Sequence, residues 1–147
     1  MSCVLLPRTW RAHQSCRSLT TGERGEHYTY KGTRFHRIIP DFIVQGGGLQ
    51  GLTREQQHGL TFDDEPTALQ LKHDARYLVQ MANRGPDTNG SQFCFMLKAS
   101  PHLNGKHAVF GRVVEGFDVV DRMEMAGTRS SQGEPTEEVV VIDCGEL

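Results

Sequence analysis

Short runs of β-branched and aromatic residues recur along this chain, and clusters of Gly, Pro, Asn and Asp separate them. Runs of this length and composition are typical of β-strands, and the clusters between them are typical of turns. Pro40 interrupts the first long run, because proline cannot donate a hydrogen bond to a strand ladder. The predicted strands are Arg34–Ile38, Phe42–Val44, Tyr77–Ala82, Gln92–Lys98, Ala108–Val114 and Glu137–Asp143.

One segment has helical spacing. Phe117, Val120 and Met123 recur every three residues, which predicts a short helix with these side chains on its buried face. The helix is predicted over Phe117–Met125, and Val119 lies beside the face that we expect to be buried. Several short strands with turn signals between them predict a mainly β protein, built as a barrel or a sandwich. The length of 147 residues is that of one domain.

Charge and cysteine content narrow the choice of partners. With a net charge of −2 and no long apolar run, we expect no nucleic-acid partner, no membrane association and no spanning helix. Cys3, Cys16, Cys94 and Cys144 form no CxxC pair, which disfavours a zinc site. Because the chain is not small and cysteine-dense, we favour reduced thiols in an intracellular compartment over a disulfide framework.

The first 22 residues differ in composition from the rest. They include Arg8, Arg11 and Arg17 but no acidic residue, a composition that resembles an organellar transit peptide. We favour a basic N-terminal arm or an altered gene start, with a transit peptide as the alternative. We therefore predict a cytoplasmic location, with a mitochondrial or other organellar location as the alternative.

No catalytic nucleophile or metal centre stands out from the residues alone. Ser91 lacks the glycine-flanked elbow of hydrolases. His36 and His107 have no partners at metal-ligand spacing, so most histidines are interpreted as structural or surface residues.

Three segments stand out together instead. They are Phe35–Phe42 with Gln45–Gly47, Met81–Phe93 and Leu103–Gly111. In this order and near this spacing they resemble the signature segments of the cyclophilins, a family of peptidyl-prolyl cis–trans isomerases. The resemblance covers about Leu19 to Leu147, so we divide the chain into an atypical segment at 1–18 and a cyclophilin-like domain at 19–147.

The resemblance implies an antiparallel β-barrel of eight strands with two capping helices and a substrate pocket on one face. It implies rotation about X–Pro bonds in proline-containing peptides or proteins, in protein folding or conformational switching. Resonance makes the barrier to this rotation about 18–20 kcal/mol. The reaction needs no cofactor, metal or covalent intermediate, only a site that favours the twisted amide.

The resemblance also assigns roles to residues. Arg37 would donate to the prolyl nitrogen as its lone pair localises, and a guanidinium suits this role because it stays charged at any working pH. Gln45 would hold the substrate backbone or brace Arg37, and Asn83 would present backbone groups to the residue before proline. Phe42 would form an apolar wall, and His107 would lie at the pocket edge. The further substrate-binding residues that it implies are Ile43, Ala82, Gln92, Cys94, His102 and Leu103.

Strand alternation predicts how two of these segments are oriented. Phe35, Arg37 and Ile39 should share one face of a strand. Cys94 should share a face with Gln92 and therefore point into the site.

The chain departs from the usual family pattern at several positions. Cys94 stands where the family usually has Phe, which removes apolar contact worth about 1–3 kcal/mol. If this contact stabilises the transition state, its loss lowers the rate about ten- to a hundred-fold. Cys94→Phe is therefore expected to raise activity. His102 stands where many members have Trp, which should weaken binding of cyclosporin-like macrocycles. Ile43 replaces Met at similar volume, and the loop at 49–58 lacks the usual Gly-Thr-rich stretch.

The start of the chain is the largest departure. A complete member has two strands and a helix before the turn at Thr21–Glu23, whereas residues 1–18 show no strand alternation. We therefore expect a barrel that is incomplete at its N-terminus and exposes two edges. The leading hypothesis is an active isomerase in which Cys94 reduces turnover. The alternative is a degenerate cyclophilin that binds proline-containing peptides as a scaffold module with little turnover.

Overall fold

The computed structural model describes residues 2–5, 10–25, 27–49, 51–53, 55–56 and 59–146 of the chain. The strands are β1 (Ser2–Leu5), β2 (Arg37–Ile39), β3 (Ile43–Gly46), β4 (Leu78–Met81), β5 (Phe93–Met96) and β6 (Val109–Glu115). The helices include α1 (Trp10–Thr21), α2 (Pro66–Leu69), α3 (Phe117–Met125) and a 3₁₀ turn at Pro101–Leu103. The strands form one antiparallel sheet in the order β1-β6-β4-β5-β3-β2.

Alternation along the strands gives the sheet two different faces. One face buries the main core, to which Ile38, Val44, Val79, Met81 and Phe95 contribute side chains that are at most 3% exposed. Helices α1 and α3 cover this core with their own apolar side chains, including Ala12, Leu19, Val120 and Met123. The opposite face carries the polar and apolar residues that form the candidate site.

The edge of the sheet at β2 is covered by a loop instead of another strand. Ile38 donates its backbone N–H to Gly133 O at 2.7 Å and accepts from Thr128 N at 3.1 Å. The predicted mainly β, antiparallel fold is confirmed. In the described part of the chain, however, the sheet stays open between β1 and β2 and does not close into an eight-stranded barrel.

The N-terminal residues contain a strand and a helix. Backbone pairing of β1 with β6 places Val4 opposite Arg112, so the prediction that residues 1–18 form no strand is wrong. Pairing at a sheet edge uses backbone groups, which a short apolar run supplies without alternation. Helix α1 runs through residue 18, where we divide the chain, and that division stays a prediction. Residues 6–9, including Arg8, lie outside the described residues.

Strand β2 begins at Arg37, three residues later than predicted. Phe35 is buried in the main core together with Ile38, whereas Arg37 and Ile39 alternate to the other face. The prediction that Phe35 and Arg37 share a face is therefore wrong. The reason is that residues 35 and 36 precede the ladder of β2, so strand pleating does not fix their alternation.

The closing strand predicted at Glu137–Asp143 is not formed. The segment makes one isolated antiparallel bridge, Arg34 to Val140. Val139 O and Val141 N still hydrogen-bond the backbone of residues 33 and 35, both at 2.9 Å. Buried and exposed side chains still alternate along this segment, since Val139 and Val141 pack on the main core while Val140 is exposed.

The predicted bounds of α3 agree with the structure, but its buried face is narrower than expected. Val120 and Met123 are buried, whereas Phe117 is 42% and Val119 is 38% exposed. The Phe117 ring packs outside the main core at 4.8 Å from the ring of Tyr77. A helix of nine residues covers the sheet with little more than two turns, so only one narrow stripe is buried.

The loop at 49–58 is only partly described, since residues 50, 54, 57 and 58 lie outside the described residues. Leu49 is 8% exposed and belongs to the main core, and Leu52 packs against it. Thr53 and Gln56 exchange backbone-to-side-chain hydrogen bonds of 2.8 and 3.2 Å. The beginning of this polar loop is therefore fixed by apolar contact with the core.

Candidate functional site

Four side chains lie in a row across the face of the sheet opposite the main core. Arg37 on β2 is paired with Gln45 on β3, which is paired with Cys94 on β5, which is paired with Gln80 on β4. Directly paired residues in neighbouring strands project to the same face, with Cβ atoms about 4.5–5.5 Å apart. We call Arg37, Gln45, Cys94 and Gln80 the site row.

An apolar cluster lies beside the site row. Ile43, Cys94 and Met96 are its buried members, at 3%, 2% and 0% exposure. Ile43 and Met96 are paired one step along the same strands, which places them on the same face as Gln45 and Cys94. The partly buried members that pack against them are Phe42, Leu78, Ala82 and Leu103. We call this set the pocket cluster.

Arg37 is held by an amide and not by a carboxylate. Its Nη1 donates to Gln45 Oε1 at 3.5 Å, and Gln45 Nε2 in turn donates to Gln92 Oε1 at 2.9 Å. Among the described residues, no Asp or Glu forms an ion pair with Arg37. Arg37 is a half-buried residue, and Gln45 orients its charge without neutralising it.

The 3₁₀ turn at Pro101–Leu103 forms one wall of the pocket cluster. Leu103 packs into the cluster, and the ring of His102 stacks on the ring of Phe42 at 5.6 Å and 29°. Asp41 precedes Phe42 with a φ of 61° and donates its backbone N–H to Glu124 Oε1 of α3 at 2.7 Å. Helix α3 therefore holds the tight turn that presents Phe42.

A second wall consists of the chain after β4 and the chain before β6. His107 Nδ1 lies 3.2 Å from Met81 O, and Asn83 Nδ2 donates to Lys106 O at 2.8 Å. Burial lowers the pKa of His107, against the opposing effect of its bond to Met81 O. His107 is therefore a neutral ring at neutral pH, with Nδ1–H donating to the carbonyl.

An open cleft of about 1010 Å³ extends from the site row. Gln45 and Gln92 line it together with Ala82 and Asn83, and His36 lies at the same cleft. Backbone and amide groups along a cleft are what an extended peptide requires. The structure therefore joins an apolar pocket and a polar groove at Gln45.

The thiol of Cys94 is placed for packing and not for nucleophilic chemistry. Burial raises the pKa of the Cys94 thiol to about 12, although a hydrogen bond with Gln80 and the charge of Arg37 oppose this effect. At neutral pH the group stays a neutral thiol, which is a poor nucleophile. Cys94 therefore contributes volume and one weak hydrogen bond to the pocket cluster.

The sequence-predicted site residues are brought together, and further residues join them. Arg37, Gln45 and Cys94 lie in the site row, to which Gln92 is hydrogen-bonded. Phe42, Ile43, Ala82 and Leu103 lie in the pocket cluster, with His102 stacked on Phe42. Asn83 and His107 are linked through the second wall.

Leu78, Gln80 and Met96 were missed by the sequence analysis. All three could have been found by counting in twos, from Ala82 to Gln80 and Leu78 and from Cys94 to Met96. His73, which bonds Gln80, precedes β4 and has no periodic relation to the site, so the sequence held no signal for it.

The rest of the described chain offers few other kinds of chemistry. Its residues include no group of three His, Cys, Asp or Glu side chains that could hold a metal ion. No helix within it has the length and apolar character needed to cross a membrane.

Comparison with known families agrees with the geometry. Residues 13–146 match the family model described as "Cyclophilin type peptidyl-prolyl cis-trans isomerase/CLD". The match includes the site row, the pocket cluster and both walls, and it begins within α1.

Proposed function

Since the chain belongs to the cyclophilin-type peptidyl-prolyl cis–trans isomerase family, we propose that it catalyses rotation about X–Pro bonds in proline-containing peptides or proteins. Protein folding and conformational switching are the processes that this activity serves. The observation that carries the proposal is the position of Arg37, a cation oriented by Gln45 beside the pocket cluster.

The geometry suits a twisted amide better than a planar one. In the planar ground state the prolyl nitrogen shares its lone pair with the carbonyl and is a poor acceptor. As the bond rotates, the lone pair localises on nitrogen, and an Arg37 N–H donates to it. This bond is stronger in the transition state than in the ground state, which is the condition for catalysis. The guanidinium and Gln45 are fixed by the sheet before substrate arrives, so little reorganisation is needed.

The pocket cluster and the cleft divide the substrate between them. The prolyl ring enters the pocket cluster against Phe42, Ile43 and Leu103, where burial of apolar surface holds it. The residues before proline lie in the cleft, where Asn83 presents backbone groups and Gln45 and Gln92 present amides. Neutral His107 closes the edge without adding a second charge near Arg37.

Substitution of Arg37 tests the proposal. Catalysis of an X–Pro peptide is measured by NMR exchange spectroscopy, with the protein's fold checked by circular dichroism. Removal of one stabilising donor typically costs about 10²–10³ in kcat, so Arg37→Ala should lose most of the activity. Arg112→Ala is the matched control, because Arg112 is an exposed arginine on β6 outside the site. Wild-type protein that is folded and leaves the exchange rate at its uncatalysed value would refute the proposal.

One observation favours a second candidate, a scaffold that binds proline-containing segments with little turnover. The buried centre of the pocket cluster is a small thiol at Cys94, so the ring has less apolar surface to contact. A titration monitored by ¹⁵N chemical shifts separates the two. Peptide-induced shifts at the site row without exchange catalysis support the scaffold, and shifts accompanied by catalysis support the enzyme.

Ligand preference and location are two further proposals. His102 is exposed and stacks on Phe42, so it offers macrocycles of the cyclosporin type an imidazole in place of an indole, and weak binding is expected. Calorimetry with His102→Trp should show tighter macrocycle binding. Cytoplasmic location, with a mitochondrial or other organelle as the alternative, rests on the sequence-based preference for reduced thiols over a disulfide framework and is tested with a C-terminal fluorescent fusion.

A further inference from the structure

A buried glutamine lies at the inner end of the site row. Gln80 is 3% exposed, is paired with Cys94 and projects to the face that carries Arg37 and Gln45. A buried amide is costly unless its polar atoms find partners. The partners here are Cys94 on one side and His73 on the other.

His73 contacts the Gln80 amide on the side away from Cys94. It is 0% exposed, and its Nε2 lies 2.5 Å from Gln80 Oε1, which puts the ring and the amide in hydrogen-bond contact. On the other side of the ring, Nδ1 lies 3.1 Å from Asn104 Oδ1. The same Asn104 oxygen accepts the His73 backbone N–H at 2.8 Å. The amide side chains of Gln80 and Asn104 therefore contact the buried imidazole on both sides and fix the orientation of its ring.

The polar chain connects two parts of the pocket that are distant in sequence. Asn104 directly follows the 3₁₀ turn that carries His102 and Leu103. The polar side-chain contacts therefore lead from this wall through His73 to Gln80. From Gln80 the site row continues through Cys94 and Gln45 to Arg37. The position of Gln80 is thus determined by the wall, and Gln80 in turn determines the space left for Cys94.

We propose that Gln80 is a positioning residue of the isomerase, which fills the pocket beside Cys94 and fixes the site row through its anchor on His73 and Asn104. The proposal rests on the proposed function. It also changes the expectation for Cys94, because a larger side chain there would meet a paired residue only about 4.5–5.5 Å away between Cβ atoms. Positions 80 and 94 are therefore one unit, and enlarging Cys94 succeeds only when Gln80 is reduced.

A double-mutant cycle tests this coupling. Wild type, Gln80→Ala, Cys94→Phe and the double variant are compared for kcat and KM on one X–Pro peptide and for melting temperature. We expect Gln80→Ala and Cys94→Phe each to lower kcat about tenfold, since misplacement by a fraction of an ångström costs about that much. The double variant should recover kcat to within about threefold of wild type. Independent effects that multiply, giving about a hundred-fold loss, would overturn the proposal.

Controls separate positioning from simple destabilisation. Val79→Ala removes a buried side chain from the same strand on the main-core face, so it should lower the melting temperature and leave kcat and KM unchanged. If Cys94→Phe does not fold, Cys94→Val is used in the same cycle with the same expected sign. Gln80→Asn, which keeps the amide but shortens its reach, should lower kcat less than Gln80→Ala does. An equal loss in both would contradict a role for the anchored amide.

A binding measurement distinguishes failure of this inference from failure of the proposed function. Peptide affinity is measured from the backbone ¹⁵N shifts of the site row while the same peptide is titrated into wild type, the three variants of the cycle and the Val79→Ala control. The side-chain amide of Gln80 is followed as well in the proteins that retain Gln80. Coupling between positions 80 and 94 in peptide affinity supports the proposal even if no variant catalyses exchange. Additive affinities, or a Gln80 amide that does not respond to peptide, refute it even if the wild type is an active isomerase.

Discussion

A substitution at Gly133 tests whether the loop that covers β2 sets the position of Arg37. Gly133 has a φ of 67°, and a Cβ there would lie 2.7 Å from Ile39 Cγ1 and 3.0 Å from Arg37 Cγ. In Gly133→Ala the stem of Arg37 or the loop must shift by about half an ångström to restore van der Waals contact. Since a displacement of about 1 Å can cost about a hundred-fold, half of it predicts about a tenfold loss of kcat.

Gly22 is the matched control for backbone strain. Its φ is 70°, and nothing lies within 4 Å of a Cβ built there. Both alanine variants therefore pay the left-handed penalty of about 1–2 kcal/mol, and only Gly133→Ala adds the contact with Arg37. Exchange rates are measured with both variants at a temperature where each is folded. Equal kcat in Gly133→Ala and Gly22→Ala would refute the idea that this loop positions Arg37.

Three further predictions concern stability and pH. Arg76→Ala removes hydrogen bonds to Leu97 O (2.5 Å) and to two acidic residues of α3 (both 2.6 Å), one of them half-exposed. This substitution should lower the free energy of unfolding, measured by urea denaturation, by about 2–4 kcal/mol. A decrease below about 1 kcal/mol would contradict the idea that Arg76 links α3 to the sheet. The Glu65 carboxylate accepts from Arg11 N at 2.9 Å and Ala12 N at 3.3 Å, so Glu65→Ala should cost about 0.5–2 kcal/mol, with a loss of α1 helicity by circular dichroism. Unchanged helicity and stability would show that Glu65 does not cap the N-terminus of α1. Burial lowers the pKa of His107, so its ring becomes charged only below the ordinary histidine value of about 6.5. We therefore expect kcat/KM to be constant from pH 9 to 7 and to fall only below that value. A decline centred above it would contradict a neutral His107.

Much of the site was predictable from local pattern. Arg37, Gln45, Ala82 and Leu103 lie in segments whose order and spacing resemble the family, and period-two alternation placed Cys94 toward the site. The same rule failed at Phe35, because residues 35 and 36 lie outside the ladder that enforces it. Side chains alternate between faces only where strands are paired, and the alternating sequence pattern does not show at which residue pairing begins.

Elements at the ends of the chain were predicted less well. The run Val139–Ile142 has strong β-propensity but makes only one isolated bridge, since its partner segment enters a ladder only at Arg37. Ser2–Leu5 shows no amphipathic pattern and yet pairs with β6. In both cases the available partner decided the outcome, and β-propensity describes fit to a pleated surface more than an intrinsic backbone preference.

The sequence by itself determined the family, the helix at Phe117–Met125 and most side chains that meet at the pocket, because these follow from contiguous motifs and short periods. Only the tertiary structure decided that Arg37, Gln45, Cys94 and Gln80 form one row and that His73 and Asn104 anchor its inner end. The physical reason is strand order. Residues 37, 45, 94 and 80 become neighbours only when β2, β3, β5 and β4 pair in that sequence with a fixed register, and register depends on how both faces of the sheet are buried.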